Sequence, residues 1–495
     1  MNKKKKKMLL ILLGVLAIMC IGIFAVSRYE KKQEEIKTSD ATVIAVDADE
    51  VTALSWETDD SSLAFYRDDD GVWHYDEDEN FPVDEEAMAD LLAPYEQFIV
   101  DFEIDDADNL SDYGLDDPEC VVHITTADAE YEISYGDYST MDSERYMSIG
   151  DGNVYLAAED PTDDYAIEIS DVIDNDDLPE LDEVSSMEFS GIEDYTVVYD
   201  EDNDHTICDE DVYFTGNKPL DTEKVESYLS EISSVDLSEY VTYNATDEEL
   251  SAYGFDKPEL AVNIEYEDED GNAAEFTFTI GLNQEEVAEA EEKAEEEETD
   301  ADAEDSDQTD VTAYIRIGDS QIIYELTSTD RDALTAMTYN DLRHAELFTG
   351  DFADVTEIDI SLDGEDYTIV ADREKNSTTW RMSDESAEAV ETADDTDADS
   401  DSETSDEEDE GLDISDLKLA ITALAVDEYT DEKASGKEEI SITIHLDNER
   451  YPTYTMTFYR YDGNQCLATV DGKTLALVDR DLVVDLIEAV NKIVL

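Results

Sequence analysis

The sequence Leu110-Ser-Asp-Tyr-Gly-Leu-Asp-Asp-Pro-Glu119 returns 140 residues later as Leu250-Ser-Ala-Tyr-Gly-Phe-Asp-Lys-Pro-Glu259, with seven of ten positions identical. Each copy predicts the end of a helix, because its glycine suits the left-handed position after the last turn and its proline prevents the helix from resuming. In such an ending we expect Leu110 to pack on Leu115. Alternating apolar residues follow each copy and predict a β-strand. The repeated phrase therefore predicts repeated modules.

A third module follows the same plan without the phrase. Each module begins with a strand, continues through a hairpin with an aromatic residue and a helix, and ends with two further pairs of strands. The initial strands are predicted at residues 51–56, 184–189 and 355–360. This pattern predicts an α+β fold, with three tandem modules of antiparallel sheet plus one or two helices, after an N-terminal transmembrane helix.

Two acidic tracts interrupt this plan, and their composition cannot build a core, although the Glu/Ala-rich start of the first allows a transient helix. We predict a basic cytoplasmic tail, a transmembrane signal anchor, a linker and three modules, of which the third has diverged and the second and third each contain a disordered acidic insertion. In that order, the segments are residues 1–7, 8–26, 27–45, 46–180, 181–347 with insertion 285–310, and 348–495 with insertion 384–410.

The amino terminus has the pattern of a membrane anchor. Five lysines, Lys3–Lys7, precede the uncharged and mostly apolar stretch Met8–Val26. As a helix this stretch would be ~28 Å long, close to the hydrocarbon thickness of a bilayer. A cleaved signal peptide is the competing interpretation, but no small-x-small cleavage site precedes Ser27. The lysines favour a cytoplasmic amino terminus, so we predict a single-pass cell-membrane protein with its C-terminal region outside the cytoplasm.

The chain is extremely acidic, with 138 Asp and Glu against 29 Lys and Arg and a net charge of −109. Such a surface repels nucleic acid and anionic lipid headgroups. It attracts cations, basic proteins or polyamines, or serves only to keep the protein soluble. We therefore predict no nucleic-acid partner and weak binding of divalent cations through charge alone.

Recognisable catalytic and metal-binding motifs are missing from the sequence. Ser415-Asp-Leu-Lys418 fits an SxxK pattern but lacks its partner motifs, and Gly472-Lys-Thr474 lacks the first glycine of a phosphate loop and predicts a hairpin turn. The five histidines have no zinc-finger or metalloprotease spacing; they are His74, His123, His205, His344 and His445. We predict no catalytic, cofactor-binding or metal-binding residue, no cofactor, and no enzymatic activity.

Internal repetition supports that prediction for two histidines. By alignment of the modules, His123 corresponds to Asn263 and Thr443, whereas His445 corresponds to Thr125 and Glu265. These are predicted to be interchangeable outward positions. The cysteines after the anchor are Cys120, Cys208 and Cys466, at non-equivalent places. An odd number argues against a full disulfide framework, although one bridge remains open.

The Leu-Ser-x-Tyr-Gly-Leu/Phe-Asp-x-Pro phrase, followed by strands and an Ile-Gly hairpin, resembles the bacterial domain of unknown function 4340 family. The resemblance extends from about residue 50 to residue 345, and to the third module by pattern. The lysine-rich anchor is similar to that family's usual layout. The family has no established activity or catalytic residues. Its members often accompany ABC-type export and gliding-associated transport components, which implies work in the envelope.

These observations predict a membrane-anchored extracytoplasmic binding or scaffold protein of the bacterial envelope. A role as accessory to an ABC-type or gliding-associated transport assembly would give it a protein partner beside the membrane. The alternative is an envelope-polymer or cation-binding receptor or enzyme with a pocket between modules. A third interpretation is a passive acidic surface protein that retains cations.

Overall fold

The computed structural model describes residues 41–59, 61–104, 107, 109–141, 143–203, 205–297, 311–374, 377–383 and 411–495. These residues form 26 strands, eight α-helices and four 3₁₀ helices. Within these ranges there is no helix of the length and apolar character needed to span a membrane. The predicted anchor Met8–Val26 lies outside the described residues, as do residues 298–310 and 384–410 of the two acidic insertions.

The first sheet has strands on both sides of one α-helix in the sequence, α1 (Glu85–Glu96). Its nine strands are β1 (Ala41–Ile44), β2 (Val51–Thr58), β3 (Ser62–Arg67), β4 (Trp73–Tyr75), β5 (Phe98–Ile104), β6 (Cys120–Thr126), β7 (Glu130–Ser139), β8 (Glu144–Ser148) and β9 (Val154–Ala157). Across the sheet they run in the order β1-β5-β9-β8-β7-β6-β2-β3-β4. The 3₁₀ helices are Ala48–Glu50, Leu110–Tyr113, Thr162–Tyr165 and Ile169–Val172.

The second sheet also has nine strands. They are β10 (Val184–Gly191), β11 (Tyr195–Tyr199), β12 (Tyr213–Thr215), β13 (Lys218–Pro219), β14 (Tyr240–Thr242), β15 (Leu260–Glu267), β16 (Ala273–Leu282), β17 (Ala313–Ile317) and β18 (Ile323–Leu326). Their order is β13-β12-β11-β10-β15-β16-β17-β18-β14. The helices in this part of the chain are α2 (Thr222–Ser233), α3 (Asp247–Ala252), α4 (Gln284–Glu297), α5 (Ser328–Thr335) and α6 (Tyr339–Leu342). Helix α4 lies at the start of the first acidic tract, where the Glu/Ala-rich composition allows a helix.

The third sheet has eight strands. They are β19 (Val355–Leu362), β20 (Glu365–Glu374), β21 (Ser377–Met382), β22 (Glu428–Tyr429), β23 (Glu438–Leu446), β24 (Thr453–Arg460), β25 (Gln465–Val470) and β26 (Lys473–Asp479). Their order is β21-β20-β19-β23-β24-β25-β26-β22. The helices are α7 (Ser415–Thr422) and α8 (Arg480–Val494). The predicted α+β class with antiparallel sheets is therefore confirmed.

All three sheets share one strand order. Strands that are equivalent in sequence order occupy equivalent positions in the three sheets. The orders are β5-β9-β8-β7-β6-β2-β3-β4, β14-β18-β17-β16-β15-β10-β11-β12 and β22-β26-β25-β24-β23-β19-β20-β21. The central pairs also share an irregularity in register, immediately after Val51, Val184 and Val355. Since a bulge re-aims every later side chain, its repetition places equivalent residues on equivalent faces.

By compactness, the described chain separates into two units. The first comprises the described residues up to Asp177, together with Asp236–Asp247 and Asp319–Glu325. The second comprises the described parts of Leu178–Val235, Glu248–Gly318 and Leu326–Leu495. The predicted division into modules at residues 46–180, 181–347 and 348–495 stays a prediction.

The alternation of apolar and polar residues in the central strands produces the cores. In the third sheet, Ile358 and Ile360 of β19 lie opposite Ile444 and Ile442 of β23, and all four are at most 1% exposed. Helices α7 and α8 belong to the same buried cluster. Burying one such side chain contributes about 1.5–3 kcal/mol, which explains how a strand with many acidic neighbours is held in register.

The repeated phrase forms the helix stop that the sequence predicts. Gly114 has φ +72° and Gly254 has φ +88°. The amide of Leu115 donates to the carbonyl of Leu110 at 3.0 Å, the six-residue hydrogen bond of a Schellman motif, and the second copy has the same bond. The side chains differ from the expected apolar pair, because Leu115 is buried whereas Leu110 is 40% exposed.

The phrase also packs its backbone against a glycine in the second strand that follows it. A Cβ on Gly136 of β7 would lie 2.2 Å from the carbonyl oxygen of Tyr113, and one on Gly281 of β16 would lie 2.3 Å from that of Tyr253. Both distances are far below van der Waals contact. The Tyr-Gly step and the distant glycine therefore form one close backbone contact in each copy.

The last residue of the phrase has a role that the sequence analysis missed. In each sheet a glutamate at the start of the central strand binds an arginine; it directly precedes β6 and β15 and is the second residue of β23. The pairs are Glu119–Arg145 at 2.5 Å, Glu259–Arg331 at 2.6 Å and Glu439–Arg460 at 2.8 Å. The third module lacks the phrase but keeps this glutamate, so the ion pair is a feature of all three repeats.

We expect Arg331→Met to lower the free energy of unfolding by about 1.5–3 kcal/mol, the usual contribution of hydrogen bonds to a charged group. Arg331 contacts both carboxylate oxygens of Glu259, and the two side chains are only 26% and 19% exposed. Urea unfolding would measure the loss. Lys437→Met is the matched control, since the Lys437–Asp363 pair is 72% and 77% exposed and should contribute under about 0.5 kcal/mol. Equal losses in both variants would contradict this role.

Candidate functional site

The segment after helix α6 brings His344 to the start of helix α2. Asp221 is the N-cap of α2, where its side chain accepts a hydrogen bond from the amide of Glu223 at 3.1 Å. Its own amide donates to the carbonyl of Leu342 at 2.9 Å. The Lys224 ammonium donates to the carbonyl of Arg343 at 2.8 Å. These bonds hold the backbone immediately before His344, so His344 is fixed beside the helix amino terminus.

A long hairpin loop supplies the other side of the cluster. Thirteen residues, 200–212, separate β11 from β12, whereas five, 68–72, separate the equivalent β3 and β4. Within this loop the Thr206 hydroxyl donates to Asp211 Oδ2 at 2.6 Å, and the Cys208 amide donates to the Thr206 hydroxyl at 2.9 Å. The loop therefore turns Asp211 inward, and Asp211 is only 5% exposed.

Cys208, Asp211 and His344 meet in one cluster, which we name the His344 cluster. His344 Nε2 is 2.7 Å from Asp211 Oδ1, and Nδ1 is 3.6 Å from Asp221 Oδ2. One ligand atom from each of Cys208, Asp211 and His344 lies within 4.8 Å of the others. Burial alone would lower the pKa of His344, but hydrogen bonds to Asp211 and Cys208 and the charges of Asp211 and Asp221 raise this pKa to about 10. The ring is therefore an imidazolium paired with a buried carboxylate.

The cluster contains the three residue types of a catalytic site with a cysteine nucleophile, namely cysteine, histidine and aspartate. It differs from such a site in the protonation of the histidine. A general base must be neutral to accept the proton of a cysteine thiol. Here both ring nitrogens of His344 face carboxylates, and the raised pKa keeps both protonated. The imidazolium has no free lone pair for the Cys208 proton. In this form the cluster is a His344–Asp211 ion pair beside Cys208.

The other histidine cluster lies on the outer face of the third sheet. His445 Nε2 is 2.8 Å from Asp359 Oδ2 and 3.7 Å from Glu357 Oε1, and these side chains are 31–43% exposed. In register, His445 lies opposite Glu357, as Thr125 lies opposite Ala53 in the first sheet. The strand registers thus confirm the predicted equivalence of these positions.

The remaining sequence motifs form ordinary structure. Asp471 and Gly472 have φ of +49° and +74° and make the turn between β25 and β26, as predicted. Ser415 begins helix α7, and the Lys418 ammonium lies 5.1 Å from the ring centre of Phe352. The described cysteines are free. Burial raises the pKa of the Cys120 thiol to about 12 and that of Cys466 to about 11, so both are poor nucleophiles.

A groove between two helical segments recurs beside each sheet. In the first sheet it measures about 630 Å³, and in the second and third sheets about 530 and 380 Å³. Lysines line the second and third, whereas the first has no basic residue in its lining. Around its apolar floor stand five carboxylates: Asp90, Glu159, Asp163, Asp164 and Asp171.

A family model for a domain of unknown function, DUF4340, matches residues 73–207 and 215–439. The chain belongs to the DUF4340 family. The two matched segments agree with the duplication, and the second ends at Glu439, the paired glutamate of the third sheet. Cys208 and Asp211 fall between the DUF4340 matches. Neither the curated proteins nor the solved structures contain a match to this chain.

Proposed function

We propose that this DUF4340 protein is a membrane-anchored extracytoplasmic binding or scaffold protein of the bacterial envelope, accessory to an ABC-type or gliding-associated transport assembly. The observation that carries the proposal is the repetition of one strand order in three sheets, while the His344 cluster occurs once among the residues that the structure describes. Repetition of architecture without repetition of reactive groups is typical of proteins that multiply a binding surface. In this proposal the chain is not an enzyme.

The described surface offers two kinds of contact for a partner. Strand β21, six residues long, is the edge of the third sheet; the carbonyl of Trp380 accepts from the amide of Leu412 at 2.7 Å, and the rest of this edge is the proposed site of β-augmentation. Exposed tyrosines, which make rigid amphipathic contacts, are Tyr138, Tyr199 and Tyr461, at 46%, 39% and 44% exposure. In this mechanism the anchor holds these surfaces at the membrane while they bind the partner.

Deleting residues 8–26 should release the protein from the membrane. The uncharged stretch Met8–Val26 is the proposed single-pass anchor, with Lys3–Lys7 in the cytoplasm. The full chain should sediment with membranes after a high-salt wash, and protease added outside the cytoplasmic membrane should digest it. The deletion variant should remain soluble. Recovery of the full chain in the soluble fraction would contradict the anchor.

Crosslinking in native membranes, followed by purification of the tagged chain, tests the scaffold role. We expect the full chain to recover a membrane transport component as a specific adduct. The chain without residues 8–26 is the control, because it carries the same acidic surface away from the membrane. If the full chain yields no membrane partner, or only what the control yields, the proposal fails.

The alternative function is that of a receptor for cations or for cationic envelope polymers. The groove beside the first sheet favours this receptor function, since five carboxylates surround its apolar floor and no basic residue lines it. Such a groove suits a ligand with both amines and methylene groups. Calorimetric titration with spermine measures this binding, with Asp90→Asn/Asp164→Asn as the variant. Equal heats for both proteins would exclude this groove as the receptor site.

A further inference from the structure

We propose that Cys208, Asp211 and His344 form a zinc site that is unique to the second sheet. The three ligand atoms lie within 4.8 Å of one another and come from two segments that are far apart in sequence. Asp211 is buried and the His344 side chain is only 19% exposed, so the site is enclosed by structure on most sides.

The mixture of donor atoms selects the metal. The site offers one sulfur, one imidazole nitrogen and one carboxylate oxygen. Calcium and magnesium take sets of oxygen ligands, whereas zinc takes cysteine, histidine and carboxylate together. Three protein ligands leave a fourth position of the tetrahedron for water or an exogenous group.

The present distances are close to those of a zinc site. Tetrahedral bonds of about 2.0–2.3 Å place ligand atoms roughly 3.3–3.8 Å apart. Nitrogen and oxygen ligands lie at the short end of this range, so the 2.7 Å separation between His344 Nε2 and Asp211 Oδ1 would widen by about 0.6 Å. We expect side-chain rotation to supply this movement, because hydrogen bonds within the loop and at the start of α2 hold the backbone.

Outer contacts are already in place for the ligands. Asp221 Oδ2 is 3.6 Å from His344 Nδ1, the nitrogen left over when Nε2 binds the metal. The Thr206 hydroxyl donates to Asp211 Oδ2, the oxygen that faces away from His344. A carboxylate behind a zinc-bound imidazole and a hydrogen bond to a bound carboxylate orient the ligands and strengthen binding.

Charge and protons balance when zinc enters. Without metal, the imidazolium of His344 offsets the carboxylate of Asp211. Zinc displaces one proton from the imidazolium and one from the Cys208 thiol, and both go to solvent. Zn²⁺ with one thiolate, one carboxylate and one neutral imidazole again sums to zero. The buried net charge is therefore the same in both states, which avoids the cost of burying an uncompensated ion.

The first sheet provides an internal comparison. The amide of Asp84 donates to the carbonyl of Val172, as that of Asp221 does to Leu342, so Asp174 takes the place of His344. The short loop between β3 and β4 has no counterpart of Cys208. Both the long loop and the histidine thus distinguish the second sheet from the first, as expected for a site acquired by one copy.

Cobalt(II) titration of the full chain in detergent, after chelator treatment, tests the proposal. Excess magnesium occupies the acidic surface during the titration. We expect one equivalent of Co²⁺ to give a thiolate-to-metal charge-transfer band, and one equivalent of Zn²⁺ to remove it. Cys208→Ser should abolish the band and weaken zinc binding at least about 10-fold. His445→Gln and Cys466→Ser are controls outside the site, and both should leave the charge-transfer band and the zinc affinity unchanged.

Folding of the variants is checked without metal by circular dichroism. Asp221→Asn keeps an N-cap residue and should lower zinc affinity about 10-fold while retaining the band. It therefore tests the site even if Cys208→Ser fails to fold. Cobalt binding without a charge-transfer band, or unchanged zinc affinity in both variants, would overturn the proposal.

Discussion

Replacing His344 with alanine should lower the free energy of unfolding of the metal-free protein by about 3–5 kcal/mol, the usual cost of removing one partner from a buried ion pair. The substitution leaves the Asp211 carboxylate, whose side chain is 1% exposed, without the cation at 2.7 Å. The remaining hydrogen bond from Thr206 cannot neutralise a buried charge. Urea unfolding in the presence of a chelator would measure the loss.

A second substitution separates the charge from the loss of packing. In the His344→Ala background, Asp211→Asn removes the stranded charge while its amide oxygen can still accept from Thr206. We expect the double variant to recover most of the stability that His344→Ala loses, as a double-mutant cycle would show. A double variant as unstable as His344→Ala would mean that packing, rather than the buried charge, accounts for the effect.

The sheets could be predicted from the sequence because their determinants are local and repeated. Alternating apolar residues such as Ile440, Ile442 and Ile444 specify a strand and the face that it buries. Gly114 and Gly254 specify helix endings through backbone conformation alone. Repetition then checks each inference against its copies, and it predicted strands of the third sheet, such as β19 and β23, despite the lost phrase.

The His344 cluster could not be predicted in the same way. Cys208 and His344 are separated by 136 residues, and they meet only because α6 packs its last residue against the N-cap of α2. Zinc-site spacing rules apply to ligands on one short segment, so they exclude neither residue. Two features of the sequence indicated the cluster. The loop between β11 and β12 is longer than the equivalent loop between β3 and β4, and His344, near the end of the second module, stands where the first module has Asp174.

The glutamate of the repeated phrase was missed for a different reason. In a chain with 138 acidic residues, no single carboxylate stands out. Its partner differs in position, since Arg145 is on β8, Arg331 is on α5 and Arg460 is on β24. The rarity of arginine could have indicated these ion pairs. Many carboxylates surround each arginine in so acidic a chain, yet Arg145, Arg331 and Arg460 each bind the glutamate at the equivalent position of their own sheet.

Gly281→Ala should destabilise the fold by about 3 kcal/mol, at the upper end of overpacking effects. The new Cβ would lie 2.3 Å from the carbonyl oxygen of Tyr253, and neither partner can move easily. Gly281 is in β16, where it pairs with Tyr314 of β17, and Tyr253 precedes the left-handed Gly254. Relief of the clash therefore requires the phrase to leave the sheet. Thermal unfolding with urea titration would measure the loss.

Gly136→Ala repeats the experiment in the first sheet, where the Cβ would lie 2.2 Å from the carbonyl oxygen of Tyr113. Gly463→Ala is the control, since nothing lies within 4 Å of its Cβ and its φ is ordinary; stability there should be unchanged or rise by up to about 1 kcal/mol. If the phrase only ends a helix, Gly136→Ala and Gly281→Ala should behave like this control. Parallel losses in both copies would instead show that the Tyr-Gly step is selected for close contact with the sheet.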